Sequence, residues 1–213
     1  MLGSVLRLCI PAASALAIAV CGVAPTQAAD TKGNFALRGV GSQTCKVMMD
    51  ELTKTPATAG ITASWLLGYM SATNRYEPDT FDISPVTDPQ AIFNVLVALC
   101  KAHPDARVQT VASDTLAALG KARVKADSPM VEAKSGNAVV PIRQETLLLV
   151  QKRLNEKGYL KSKPDGTYGA QSEAAVKSFQ TAEKLPVTGV PDAPTVIRLL
   201  IEQPPQPAPP AKK

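Results

Sequence analysis

The chain has 213 residues, of which 45% are hydrophobic and 19% are charged, and its formal net charge is +5. This length favours two modest domains with tails over one large enzyme core, and the apolar content excludes wholesale disorder. The single histidine, His103, excludes multi-histidine zinc sites and paired imidazole acid–base chemistry, because neither can be built from one ring.

The basic excess belongs to the second half of the chain. Residues 30–120 carry seven Lys/Arg and nine Asp/Glu, a balance of −2, whereas residues 121–213 carry fifteen and nine, a balance of +6. These lysines are scattered and lack interleaved aromatic residues, so they do not indicate a nucleic-acid partner. They fit either an anionic envelope polymer or a solvated surface that serves solubility.

Residues 1–28 have the pattern of a secretory signal peptide. A weakly positive start precedes a small-residue apolar stretch over residues 8–24, and small residues then favour cleavage after Ala28. Pro11 interrupts the stretch, which falls short of the roughly 20 apolar residues that a spanning helix needs. We therefore expect an exported, periplasmic protein with no membrane segment after cleavage. A retained anchor and a lipoprotein signal ending at Cys21 are the alternatives.

The pattern of residues 30–120 predicts four short helices and almost no strand. Ser42 is a candidate cap for the first helix, which ends at the sequence TPATAG, and the second helix covers residues 61–76. Asp88 is the predicted cap of a third helix over residues 90–102, and the fourth begins at His103.

Aromatic residues and one glycine in the second and third helices indicate which helix faces lie in the core. Trp65 and Tyr69, together with Phe93 of the third helix, are better explained as core than as a ligand-binding box. Gly68 would allow another helix to approach closely.

Cys45 and Cys100 remain once the signal is removed. Two cysteines in an exported protein favour one disulfide, which would tie the first helix to the third. The alternative uses Cys100 as a nucleophile with His103 as its base, three residues along the chain.

The pattern GVGSQTC … WLLGYMSATN … TDPQAIFNVLVALCKAHP resembles small, secreted, all-helical domains with one cysteine pair, akin to the HdeA-type acid-stress chaperones of the periplasm. The resemblance covers residues 38–119. It implies Cys45–Cys100 pairing and a protein-interaction or chaperone role. A related alternative is an immunity protein that plugs an imported cell-wall amidase.

Two segments lack helical periodicity. Residues 121–141 mix charge with Ser, Gly and Pro, which predicts an extended, mobile linker. Residues 202–213, EQPPQPAPPAKK, predict an extended proline-rich spacer or tail.

Residues 142–201 predict three further helices separated by glycine turns. The first covers residues 142–160, a tight turn follows at Asp165-Gly166, and Gly169 opens the second helix. A shorter version of the same pattern comes next, because a glycine is twice followed six residues later by a hydroxyl residue. The two pairs are Gly166 with Ser172 and Gly189 with Thr195, and Asp192 is the predicted cap of the last helix.

The sequences VQKRLNEKGYL … PDGTYGAQSEAAVKSFQ … LPVTGVPDAPTVIRLL closely resemble the peptidoglycan-binding domain that accompanies many cell-wall hydrolases. The resemblance covers residues 142–201 and implies a three-helix bundle without catalysis of its own. The matching motif positions are Asp165, Gly166, Tyr168, Gly169, Phe179, Gln180, Gly189, Asp192 and Thr195.

Most of these motif residues are expected to be architectural, as turn glycines, a core phenylalanine and a helix cap. Asp165, Tyr168 and Gln180 are the candidates for ligand contact. Three nearby cations are candidates to meet the carboxylates of wall stem peptides, namely Arg153, Lys161 and Lys163.

No catalytic motif accompanies this segment, since the chain has neither HExxH nor GxSxG. We therefore predict an all-α, non-enzymatic protein without metal or cofactor: a four-helix, disulfide-tied domain followed by a three-helix peptidoglycan-binding bundle. Its expected partners are peptidoglycan and an envelope protein that contacts residues 30–120. The alternative is an accessory or weakly active cell-wall hydrolase.

Overall fold

The computed structural model describes residues 29–30 and 32–201. The predicted signal peptide over residues 1–28 and the proline-rich tail over residues 202–213 lie outside the described residues. The chain divides into two units at Ala36. In the first unit, the Asp30 carboxylate accepts hydrogen bonds from backbone N–H groups of the turn that follows it. All helices and strands named below belong to the second unit, which begins at Leu37.

Four helices form the first part of this unit: α1 (Cys45–Lys54), α2 (Ala57–Tyr76), α3 (Pro89–Ala102) and α4 (Val108–Leu119). The predicted Asp88 cap of α3 is confirmed, because its side chain accepts a hydrogen bond from the Gln90 N–H. The predicted Ser42 cap of α1 is wrong. Thr44 caps α1 instead, while the Ser42 hydroxyl donates to Gly39 O within a short 3₁₀ turn.

Two helix starts differ from the prediction for identifiable reasons. α2 begins at Ala57, directly after Pro56, because the fixed φ of proline suits a helix start and the TPATAG sequence therefore initiates the helix. α4 begins at Val108, five residues after His103, because the preceding carbonyls serve another element. Pro104 O and Ala106 O accept hydrogen bonds from the first N–H groups of α1.

The disulfide predicted between Cys45 and Cys100 is confirmed, with an S–S distance of 2.04 Å, and it joins α1 to α3 in the core. Trp65 and Tyr69 are half-buried and stacked, with ring centroids 5.3 Å apart. The close helix approach expected at Gly68 is absent from the described part of the chain, because a Cβ placed there would meet nothing within 4 Å.

The segment predicted to be an extended linker contains a β-hairpin, so the all-α prediction is wrong in this respect. Strand β1 (Met130–Ser135) pairs antiparallel with β2 (Ala138–Arg143), and Ser135 faces Ala138 across the turn. Gly136 takes the first central position of that two-residue turn with φ +56°. A positive φ at this position is what a type II′ hairpin requires.

Three helices follow the hairpin: α5 (Gln144–Glu156), α6 (Ala170–Ala182) and α7 (Ala193–Leu200). Gly169 and Asp192 are the N-cap residues of α6 and α7, as predicted. The core of this part consists of aliphatic side chains around one aromatic ring, that of Phe179, which is 1% exposed. Ala175 and Val176 face the same core.

The hairpin connects the two sets of helices. Thr87, before α3, donates a hydrogen bond to Pro141 O at 2.9 Å. At the end of β2, the Arg143 guanidinium lies 4.6 Å from the Phe81 ring centroid and 4.0 Å from the Asp82 carboxylate. Asp82 also forms an isolated antiparallel bridge with Val124. The segment between the helical parts is therefore folded and held by specific contacts.

Candidate functional site

The Asp165–Gly166 turn is organised by a buried glutamine. Gln151 of α5 is 2% exposed, and its Oε1 accepts hydrogen bonds from the N–H groups of Asp165 at 3.0 Å and Gly166 at 2.7 Å. Its Nε2 donates to Thr167 O at 2.9 Å and to Ser172 Oγ at 3.0 Å. Gly166 has φ +74°, which L side chains rarely adopt, so glycine is needed for this geometry.

The second glycine turn is organised in the same way. Gln180 of α6 is fully buried, and its Oε1 accepts a hydrogen bond from the Gly189 N–H at 2.9 Å. Its Nε2 donates to Val190 O at 3.0 Å and to Thr195 Oγ1 at 2.9 Å. Gly189 has φ +72°.

The sequence parallel between the two glycine turns is therefore a repeated structural device: a buried glutamine, a glycine turn and a buried hydroxyl residue. Sequence reasoning missed the role of Gln151 and offered Gln180 as a ligand contact. Because Gln180 has no exposed surface and its amide is bonded internally, it belongs to the framework. The missed signal was a glutamine at an inward-facing position of each helix.

Tyr168 links the two turns to each other. Its hydroxyl donates to Gly189 O. Burial raises the pKa of Tyr168, and the negative charges of Glu173 and Asp192 raise it further. The phenol is therefore a hydrogen-bond donor at neutral pH. Asp192, beside it, accepts hydrogen bonds from the Thr195 N–H and the Thr188 hydroxyl, which fixes the start of α7.

A groove of about 450 Å³ lies between the loop after α5 and the outer face of α6. Tyr159 and Lys161 line the loop side, and Gln171 and Ser178 line the helix side. Tyr159 is oriented by an edge-to-face contact with the Phe179 ring, at a centroid distance of 5.7 Å and an interplanar angle of 82°.

The loop that forms one side of the groove is held by hydrogen bonds from α5. Asn155 Nδ2 donates to Leu160 O at 2.9 Å and to Ser162 O at 3.2 Å. The groove thus combines an aromatic ring, a cation and neutral polar side chains on a preformed surface, which is the mixture expected of a site for a polar organic ligand.

The structure separates the three cations that the sequence placed near the ligand. Lys161 lines the groove, whereas Lys163 is exposed outside its lining. Arg153 lies in a different hollow and pairs with Glu156 at 2.9 Å. Asp165 is exposed, and hydrogen bonds from the Thr167 N–H and then the Gln151 side chain lower its pKa.

The disulfide argues against the alternative in which Cys100 is a nucleophile with His103 as its base. The Cys100 sulfur is bonded to Cys45 and is therefore not a thiolate. His103 is exposed at the C-terminal end of α3. Within residues 29–30 and 32–201, no three His, Cys, Asp or Glu side chains are grouped so as to hold a metal ion. No helix in this described part has the length and apolarity needed to cross a membrane.

Comparison with known families identifies the second helical part. Residues 143–199 match the family described as "Putative peptidoglycan binding domain", which confirms the predicted resemblance for this segment. No curated protein and no solved structure matched the chain. The resemblance of residues 38–119 to HdeA-type domains stays a prediction.

Proposed function

We propose that this is an exported, non-enzymatic protein that binds peptidoglycan through residues 143–199 and presents helices α1 to α4 to another envelope protein. The observation that carries the proposal is the family match over residues 143–199. The disulfide supports export, because such bonds persist in oxidising compartments such as the periplasm of a Gram-negative envelope.

The groove beside α6 is the proposed wall-binding surface. The half-buried Tyr159 ring offers an apolar surface to a sugar face or an alkyl chain, and Lys161 offers a cation to a stem-peptide carboxylate. Gln171 supplies both a donor and an acceptor for amide groups. A shallow groove of this kind gives weak affinity at a single site, which the dense repetition of sites along the polymer turns into effective retention.

The helical part before the hairpin is proposed to serve protein interaction or chaperone-like binding. The hairpin contacts at Pro141 and Arg143 fix these helices with respect to the strands that lead into α5. A partner bound to α1–α4 would therefore be held at the wall. The absence of enzymatic activity is proposed because Cys100 is bonded to Cys45 and His103 is the sole histidine.

Sedimentation of the purified protein with insoluble peptidoglycan tests wall binding. We expect the protein in the pellet with peptidoglycan and in the supernatant with insoluble cellulose, which lacks stem peptides. Recovery entirely in both supernatants would contradict the proposal.

Zymography on gels containing peptidoglycan tests the non-enzymatic proposal separately, because a cleared band would show hydrolase activity. Capture of envelope proteins by immobilised protein, with and without reduction of the disulfide, tests the interaction role. We expect a partner that is retained only by the oxidised protein.

A further inference from the structure

A second cleft, of about 420 Å³, lies between α2 and α4, away from the groove beside α6. Its floor is apolar and includes the buried side chains of Ile83 and Leu116. The floor is closed at Gly120, where a Cβ would lie 2.8 Å from Ile83 Cδ1. The rim is charged and carries Glu77, Lys121 and Arg123.

The Arg123 guanidinium is held in place by backbone oxygens. Its Nε donates to Asp79 O at 3.2 Å, and its Nη1 donates to Gly120 O at 3.1 Å. Asp79 has φ +51°, a conformation uncommon outside glycine, so the chain takes a less favourable backbone state where it holds this side chain. The two carbonyl contacts orient the guanidinium without neutralising its charge.

None of the three rim charges forms an ion pair with another residue of the described chain. This distinguishes Arg123 from Arg143 and Arg153, which both face carboxylates. A part-buried guanidinium that is fixed in direction and lacks a carboxylate is suited to bind an anion from solution.

Hydroxyl groups line the cleft between the rim and the floor. Tyr69 Oη accepts a hydrogen bond from Gln109 Nε2 at 3.2 Å, and its own proton has no acceptor within residues 32–201. Ser113 of α4 adds a second hydroxyl. The cleft therefore combines hydroxyl groups, the two cations Lys121 and Arg123, and a single carboxylate, that of Glu77.

We propose that the α2–α4 cleft binds a small zwitterionic ligand, a short peptide that places a carboxylate on Arg123 and Lys121 and an ammonium group on Glu77. Both charges of such a ligand meet opposite charges that have no ion-pair partner among the described residues. Its alkyl portion covers the apolar floor. This site is independent of the proposed wall groove, because the two share no residue.

The chain contains its own reporter for this site. Trp65 is the single tryptophan and stacks on Tyr69, which lines the cleft. Two tripeptides with the same ionised groups serve as probes: L-Ala-γ-D-Glu-L-Lys, which has the linkage and configuration of a wall stem peptide, and L-Ala-L-Glu-L-Lys, which is an ordinary peptide. We expect a saturable change in Trp65 emission with at least one of them, and the stronger binder identifies the source of the natural ligand.

Substitutions at the rim test the assignment of charges. Arg123→Gln is expected to weaken binding about tenfold or more, because it removes charge-assisted hydrogen bonds. Lys121→Gln is expected to weaken binding only a few-fold. Lys121 is exposed, so solvent screens its charge more than that of the part-buried Arg123. Lys101→Gln on α3 is the matched control outside the cleft and should bind as the wild type does.

Glu77→Gln provides a test that does not depend on Arg123 and its role in the fold, because Glu77 is exposed. Acetylation of the peptide amines should weaken binding to the wild type but not to Glu77→Gln. The proposal is overturned if neither peptide gives a saturable signal up to about 10 mM, some ten times a millimolar Kd. It is also overturned if Arg123→Gln and Glu77→Gln bind unchanged. Sedimentation with peptidoglycan should be unaffected by both variants, so the two proposals fail separately.

Discussion

Ser135, at the tip of the hairpin, occupies the space that a side chain at Gly189 would need. A Cβ on Gly189 would lie 2.4 Å from Ser135 Oγ and 2.5 Å from Lys177 Cε. Ser135 is held there by a hydrogen bond of 2.8 Å from its hydroxyl to the Glu173 carboxylate. The turn glycine therefore has two functions: it adopts φ +72°, and it lets the hairpin pack against the start of α6.

Gly189→Ala is expected to lower the free energy of unfolding by about 2–4 kcal/mol. About 1–2 kcal/mol comes from a left-handed backbone at a non-glycine residue, and the rest comes from overlap with the hairpin. Urea denaturation measures the change. Gly158→Ala is the matched control, because Gly158 has φ +82° and an open surrounding, so only the backbone contribution applies. Equal losses in the two variants would show that the hairpin contact contributes nothing.

Gln151→Leu and Gln180→Leu are each expected to lower the free energy of unfolding by about 2–4 kcal/mol, again measured in urea. Each leucine removes the acceptor of buried turn N–H groups, which then lack a partner. Gln171→Leu, on the exposed groove-facing side of α6, is the control and should change stability by less than about 0.5 kcal/mol. Nearly neutral leucine variants at Gln151 and Gln180 would contradict the role we give to these amides.

The glycine turns were predictable because their chemistry is local. Gly166 and Gly189 require a positive φ, and Asp192 caps the helix that begins one residue later. The disulfide was also predictable, since the number of cysteines left after the predicted signal peptide and the predicted export both favour one pair. The sequence did not reveal which side chain hydrogen-bonds to each turn. Gln180, for example, lies within hydrogen-bonding distance of the Gly189 N–H only after α6 has packed against the turn.

The hairpin was missed although its turn signal is present. Gly136-Asn137 is a turn signal, and the flanking sequences MVEAKS and AVVPIR alternate apolar and polar residues only in part. The charged residues and Pro141 in these sequences favoured the prediction of a linker. In a two-stranded hairpin each strand has a free edge, so a proline can be accommodated there. The strands are stabilised by long-range contacts, such as Ser135 with Glu173, that no local pattern reveals.

Removal of the disulfide by the double substitution Cys45→Ala/Cys100→Ala is expected to lower the free energy of unfolding by about 4 kcal/mol. The bond closes a loop with a sequence separation of 55 residues, and the estimate follows from the chain entropy that this loop removes from the unfolded state. Unfolding in urea is followed by the fluorescence of Trp65, which lies on α2 and not on the two helices that the bond joins. Addition of reductant to the wild type should reproduce the loss, whereas a change below about 1 kcal/mol would contradict this account.

Stability should fall in acid partly through Glu173. Its pKa is lowered, first by the hydrogen bond from Lys177 Nζ and then by that from the Ser135 hydroxyl. The folded state therefore favours the charged carboxylate, so this contribution is full above the ordinary glutamate pKa of about 4.3 and is lost as the pH falls through the lower folded value. Urea midpoints between about pH 6 and pH 3 should decrease, and less steeply in Glu173→Gln. Glu132→Gln on β1 is the control, and an unchanged slope in Glu173→Gln would exclude this contribution.

Of the three cations that the sequence suggested as ligand contacts, only Lys161 lines the groove beside α6. Binding to peptidoglycan tests whether Lys161 contributes more than the other two. Lys161→Gln is expected to reduce the affinity for insoluble peptidoglycan about fivefold, because one charge-assisted contact worth about 1 kcal/mol is lost. Lys163→Gln and Arg153→Gln are matched controls that remove the same charge outside the groove lining and should sediment as the wild type does. Raising the salt concentration should narrow the difference between Lys161→Gln and the wild type, since the contact lies at an exposed surface. Equal losses in all three variants would indicate a general attraction to an anionic polymer and would remove the groove as the specific site.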